Sequence, residues 1–164
     1  MSIGIFKVSY LDACAAVKLV IPELGSDRLN TYFANQTFHI TGFCLFEALG
    51  ALKRKICRKE IPQEQYFKAC YMLIAYLQGK RIRIDDEPKI ESIETFMRGQ
   101  ALAKKHGIDL SDALQLVTVK HGKFCKLAKE SKTILVTSDQ SLAKAAQAEG
   151  LRVWNCEKES KPPD

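Results

Sequence analysis

FKVSYLDACAAVKLV, residues 6–20, is the stretch on which the reading of this chain turns. Its apolar run predicts a short β-strand over residues 5–11. A helix is predicted from about Cys14 to Val20, where Ile21-Pro22 stops it. Asp12 stands between the two. A carboxylate there serves as an N-cap, accepting from the free N–H groups of the first helical turn. A lone acid at the C-terminal tip of a leading strand also sits where open α/β sheets bind their ligands. This stretch alone leaves both readings open.

Working outward, the same alternation recurs. Ser26 is expected to cap a short helix over 27–33, and TFHIT (37–41) reads as a second strand, with His39 an ordinary strand side chain. The helix over 42–58 carries Leu45, Leu49, Leu52 and Ile56 as a buried stripe. Glu47 lies off that stripe, on a face with Gly50 and Ala51 that would admit a close neighbour. The basic run Lys53, Arg54, Lys55, Arg58 and Lys59 reads as a solvated helix end or as a phosphate-contacting surface. Pro62 opens the next helix, which runs to about Gln78. RIRID (81–85) reads as a third strand, and Asp85, Asp86 and Glu87 before Pro88 as a turn. A helix over 89–106 is closed by Gly107.

Further along, Ser111 is the expected N-cap of a helix that holds Asp112 in its first turn. TILVTSD (133–139) is a buried strand ending in Asp139. SLAKAAQAEG reads as a helix and LRVWN as a last strand, leaving 157–164 as a disordered tail. Strands and helices in alternation predict a three-layer α/β/α sandwich around a central parallel sheet. Residues 1–156 are expected to form a single domain.

The totals fit that picture. At 164 residues and 46% hydrophobic content the chain can build a full core without disulfide or metal staples. Its six cysteines show no C-x-x-C pair and no zinc spacing with His39, His106 or His121, which points to reduced thiols in a cytosolic protein. Apolar runs fall short of a membrane span, and the N-terminus has no signal-peptide pattern. The net charge of +6 favours polyanions. An acidic pocket in such a basic chain would suit a nuclease.

Asp12 and Asp139 end apolar strands whose tips lie on one edge if the sheet is parallel. Asp112 and Glu47 can reach that edge from helices packed beside the first strand. Bare carboxylates about 5 Å apart repel by roughly 3 kcal/mol per pair at an effective dielectric near 20. Without a partner, some would stay protonated. A hard divalent cation, Mg²⁺ or Mn²⁺, relieves that repulsion. Such a cation also ionises a water and steadies a phosphodiester in flight.

The set YLDACAAVKLV, GFCLFEALGALK, GIDLSDALQL and ILVTSD resembles, in that order, the motifs of a PIN domain. It is most similar to the VapC-type toxin branch. The resemblance covers nearly the whole chain. It implies a PIN-like fold and a Mg²⁺- or Mn²⁺-dependent endoribonuclease in which Asp12, Glu47, Asp112 and Asp139 hold metal and activate water against an RNA phosphodiester. It also implies a type II toxin–antitoxin pair, with homodimerisation and a small antitoxin whose C-terminal segment blocks the acidic groove.

Three features depart from the family pattern. Cys14 replaces a usual Ser or Thr, Asp109 adds an acid at the rim, and residues 120–133 are longer and more basic than the usual connection. Two competing readings remain. A haloacid dehalogenase-like phosphatase would need a second Asp where Cys14 stands. A non-catalytic PIN-like module would bind RNA or protein without cutting.

Overall fold

The computed structural model describes residues 7–124 and 133–164. Five parallel strands lie in the order β3-β2-β1-β4-β5: β1 (Val8–Leu11), β2 (Phe38–Thr41), β3 (Ile82–Asp85), β4 (Thr133–Val136) and β5 (Arg152–Trp154). Every residue of β1, β2 and β4 is buried, as expected of strands covered on both faces.

Side chains alternate across the sheet, and each face has its own core. Leu11, Phe38, Ile40, Ile134, Val136 and Trp154 pack beneath α1 (Ala13–Val20), α2 (Ser26–Phe33), α3 (Gly42–Cys57) and α4 (Gln63–Gln78). On the other face Val8, Tyr10 and Leu135 meet α5 (Ile93–His106), α6 (Leu110–His121) and α7 (Gln140–Ala148). The expected three-layer α/β/α architecture around a parallel sheet is the one observed. Each fully buried Leu or Ile contributes about 1.5–3 kcal/mol, and Leu11, Ile40 and Ile134 are wholly inaccessible.

Several local expectations are corrected. The first strand begins at Val8 rather than residue 5, and residues 1–6 lie outside those described. The strand of TILVTSD stops at Val136, so residues 137–139 form the turn into α7. Gly25, at φ 86°, is the cap residue of α2. Ser26 instead accepts from Glu23 N at 2.9 Å and donates to the Ile21 carbonyl at 3.1 Å. α5 starts at Ile93, capped by Ser92, because residues 89–92 close a turn through Ser92 N and the Lys89 carbonyl.

The buried side of α3 is Cys44, Leu45, Ala48 and Leu52, with Leu49 half-buried. Close helix approach occurs not at Gly50 but at Gly99, where an added Cβ would stand 2.7 Å from Leu114 Cδ2. The centre of the basic 120–133 segment falls outside the described residues.

Residues 157–164, expected to be a disordered tail, make defined contacts instead. Glu157 pairs with the buried Lys18 at 2.7 Å, and Trp154 Nε1 donates to the Glu159 carbonyl at 3.3 Å. No helix among the described residues is long and apolar enough to cross a membrane.

Candidate functional site

The chain moves outward from β1 through β2 to β3, then returns through α5 and α6 to place β4 on the other flank of β1. The crevice at the carboxyl ends of β1 and β4 is therefore the sheet's topological switch point, where ligands enter open α/β folds. Asp12 follows β1 there and Asp139 lies just beyond β4.

Asp12 is 5% exposed and is the N-cap of α1. Its Oδ1 accepts from Ala15 N at 2.7 Å, and Cys14 Sγ lies 2.9 and 3.0 Å from its two oxygens. Thr137 Oγ1 donates to Asp12 Oδ2 and accepts from Asp139 N at 3.0 Å. One buried hydroxyl thus links the Asp12 carboxylate to the backbone of Asp139. Asp139 caps α7 through Leu142 N at 2.9 Å and keeps its carboxylate exposed.

Asp109, rather than Ser111, is the N-cap of α6: its Oδ1 accepts from Asp112 N at 2.8 Å. Ser111 Oγ lies 2.8 Å from Glu47 Oε1 and 3.0 Å from Asp109 Oδ1, tying the α3 acid to the start of α6. Capping and clustering are therefore compatible roles. Helix N-termini bring acids as caps, and the partial positive charge there offsets some of their repulsion.

That offset is incomplete. Burial, then Asp109, Asp139, Glu47 and Asp12 in turn, push the Asp112 carboxyl up to about 7. Burial also raises Asp12, with Asp139 adding to the rise, against the hydrogen bonds from Cys14, Thr137 and Ala15 N that lower it. Burial and the Asp12 charge push the Cys14 thiol up to about 12, so it stands beside Asp12 as a neutral S–H. All four sequence-predicted acids thus belong to one electrostatic neighbourhood, together with Asp109.

Among the described residues, however, no set of three or more His, Cys, Asp or Glu side chains is drawn together as a ready-made metal cage. Mutual repulsion has the sign to hold such carboxylates apart. The donor set, carboxylate oxygens alone, suits a hard divalent cation.

Sequence reasoning passed over Thr137, although its place two residues before Asp139 in VTSD was visible. It also assigned Asp85 to a turn. Asp85 is 2% exposed and accepts from Tyr10 Oη at 2.5 Å and from the N–H groups of Glu87, Lys123 and Phe124 at 3.1–3.2 Å. His39 is buried between Tyr10 and Phe124, and that burial pulls it down to about 4, leaving it neutral. Of the basic run, Lys55 is engaged by Glu23 at 2.5 Å and Glu60 at 3.3 Å, while Lys53, Arg54 and Lys59 are exposed.

No family model matches the chain, and no curated protein matches it by sequence. Among solved structures, the crystal structure of PAE2754 from Pyrobaculum aerophilum is similar at a TM-score of 0.56 and 17% identity. The match covers 85% of this chain and 79% of that one. It is a likeness of fold.

Proposed function

We propose that the chain is a Mg²⁺- or Mn²⁺-dependent endoribonuclease of the PIN type, acting in the cytosol as the toxin of a type II toxin–antitoxin pair. The supporting observation is that burial and the charges of Asp109, Asp139, Glu47 and Asp12 all raise Asp112 at the switch point of a basic protein, with Thr137 linking Asp12 to Asp139 N and Ser111 linking Glu47 to Asp109. Asp12, Glu47, Asp112 and Asp139 would hold the ion. When bound, it would supply an ionised water and neutralise charge on an RNA phosphodiester.

The chain's own residues prepare the site. Thr137, Cys14 and Ala15 N fix the orientation of Asp12, and Ser111 orients Glu47. Asp112, raised to about 7 chiefly by burial, would give up its proton on holding a cation. Exposed apolar residues on α4 (Phe67, Tyr71, Ile74) and α5 (Ile93, Met97) offer surfaces for the expected second copy and antitoxin.

The deciding experiment is cleavage of structured and single-stranded RNA with Mg²⁺ or Mn²⁺, compared with Asp12→Asn. Divalent-dependent cleavage lost in the variant is the expected result. Equal cleavage by both proteins overturns the proposal. RNA binding without turnover in either metal favours the non-catalytic module instead.

A further inference from the structure

Next to the acid rim, at the carboxyl ends of β2 and β3, lies an open cavity of about 310 Å³. Phe43 and Phe46 from α3 form one wall, and Ile84, Pro88 and Ile90 form the other. Phe43, Phe46 and Glu47 are spaced i, i+3 and i+4, so the aromatic wall and the acid share one side of α3. Phe46 is 74% exposed, a large apolar surface left in water immediately beside an acid of the site.

The polar groups around this cavity select what can enter. Asp85 lines it, but four donors already occupy that carboxylate. Lys89 is paired with Asp86 at 3.0 Å. With Asp86 offset by Lys89, Asp85 and Glu91 leave the lining a negative balance, which repels phosphate and favours N–H donors. The volume is at the small end for ligand pockets, which suits one flat ring system. Aromatic side chains that take unstacked bases are a general means of holding single-stranded RNA.

We infer that Phe46, with Phe43 and the Ile84–Pro88–Ile90 wall, forms a subsite for one nucleobase of the RNA strand, favouring bases with an exocyclic amino group. The inference rests on reading the acid rim as a ribonuclease site. The phosphodiester then lies over the acids, and a neighbouring base turns into the cavity. Phe46 is a specificity-determining residue that does not touch the reacting atoms.

The test uses the full chain with Ca²⁺ in place of Mg²⁺ and a series of short labelled RNAs, each carrying one abasic nucleotide at a different position. Anisotropy reads binding. For the natural protein, one position should weaken binding about tenfold when its base is removed. Phe46→Ala should lose the same factor on intact RNA and show no position dependence, while Phe46→Tyr restores both. An unchanged profile in Phe46→Ala overturns the inference, as does absence of RNA binding by the natural protein. So does an effect confined to a dimer-to-monomer shift in sedimentation, which would give this wall to a second copy.

The two readings fail separately. Position-dependent binding with no cleavage in Mg²⁺ or Mn²⁺ keeps the subsite and removes the nuclease. Asp12-dependent cleavage with a neutral Phe46→Ala does the reverse.

Discussion

The two ends of α7 treat charge in opposite ways. At its start, Asp139 joins Asp12, Asp109, Asp112 and Glu47, and their mutual repulsion with burial raises Asp112 to about 7. At its end, Glu149 is gripped by Lys105 and His106 at 2.7 Å and by Lys120, which hold its carboxyl down at about 2. The second arrangement ties α5, α6 and α7 together. The first weakens the fold in the absence of a countercharge. The same helix thus carries unsatisfied charge near one end and satisfied charge at the other.

The sharpest way to break this contrast is at Asp12. Asp12→Asn is expected to lower divalent-dependent RNA cleavage by about a thousandfold, the scale of removing a main electrostatic stabiliser, while a thermal melt shows the fold retained. Next is Glu149→Gln, expected to destabilise by about 1–3 kcal/mol in urea titration, discounted because Lys105 is 63% exposed. Its cleavage rate should be unchanged. Loss of cleavage there would mean the two ends are not separate in function.

The pH dependence of stability should carry opposite signs at the two ends. Glu149 has a lowered folded-state value, so its contribution is present above about 4.5 and is lost as pH falls toward 2. Asp112 has a raised value, so the metal-free protein should lose stability as pH rises from about 4 to 7. Melting temperatures across pH 3–8 should show the upper limb abolished by Asp112→Asn and by added Mg²⁺. A flat upper limb in the natural protein would remove the frustrated end from the comparison. The smallest effect is Cys14→Ser. A hydroxyl keeps the hydrogen bond to Asp12 and strengthens it, by roughly 0.5–1.5 kcal/mol, so cleavage should rise modestly.

The fold was legible in the sequence for a local reason, and so was the position of Asp12 and Asp139 beyond strands of the candidate site. A buried apolar run followed by an acid announces the element within a few residues. The acid comes one residue on at Leu11-Asp12 and three residues on at Val136 and Asp139, so β4 ends short of its expected tip. The five-stranded parallel arrangement follows from that alternation. What depends on distant partners was not legible. Asp85 looked like a turn residue because Tyr10, Lys123 and Phe124, which make it a buried hub, lie far away in the chain. Ser111 and Asp109 are both capping types two residues apart, and the extended backbone at Asp109 (φ −72°, ψ 170°) is what decides between them. The tail looked disordered by composition because its anchors, Lys18 in α1 and Lys7 just before β1, lie at the other end of the chain.

Asp85 reaches further than its own turn. A Cβ added at Gly122 would collide with its carboxylate and with the Thr118 carbonyl. Gly122 ends α6, whose first turn carries Asp112 and whose Gln115 donates to the Leu11 carbonyl at 3.4 Å. Any side chain at that glycine would push the helix off its seat and carry the displacement to the acids at its far tip. The proposed site is thus vulnerable at a position that contributes no group to it, and a randomised library there would return glycine.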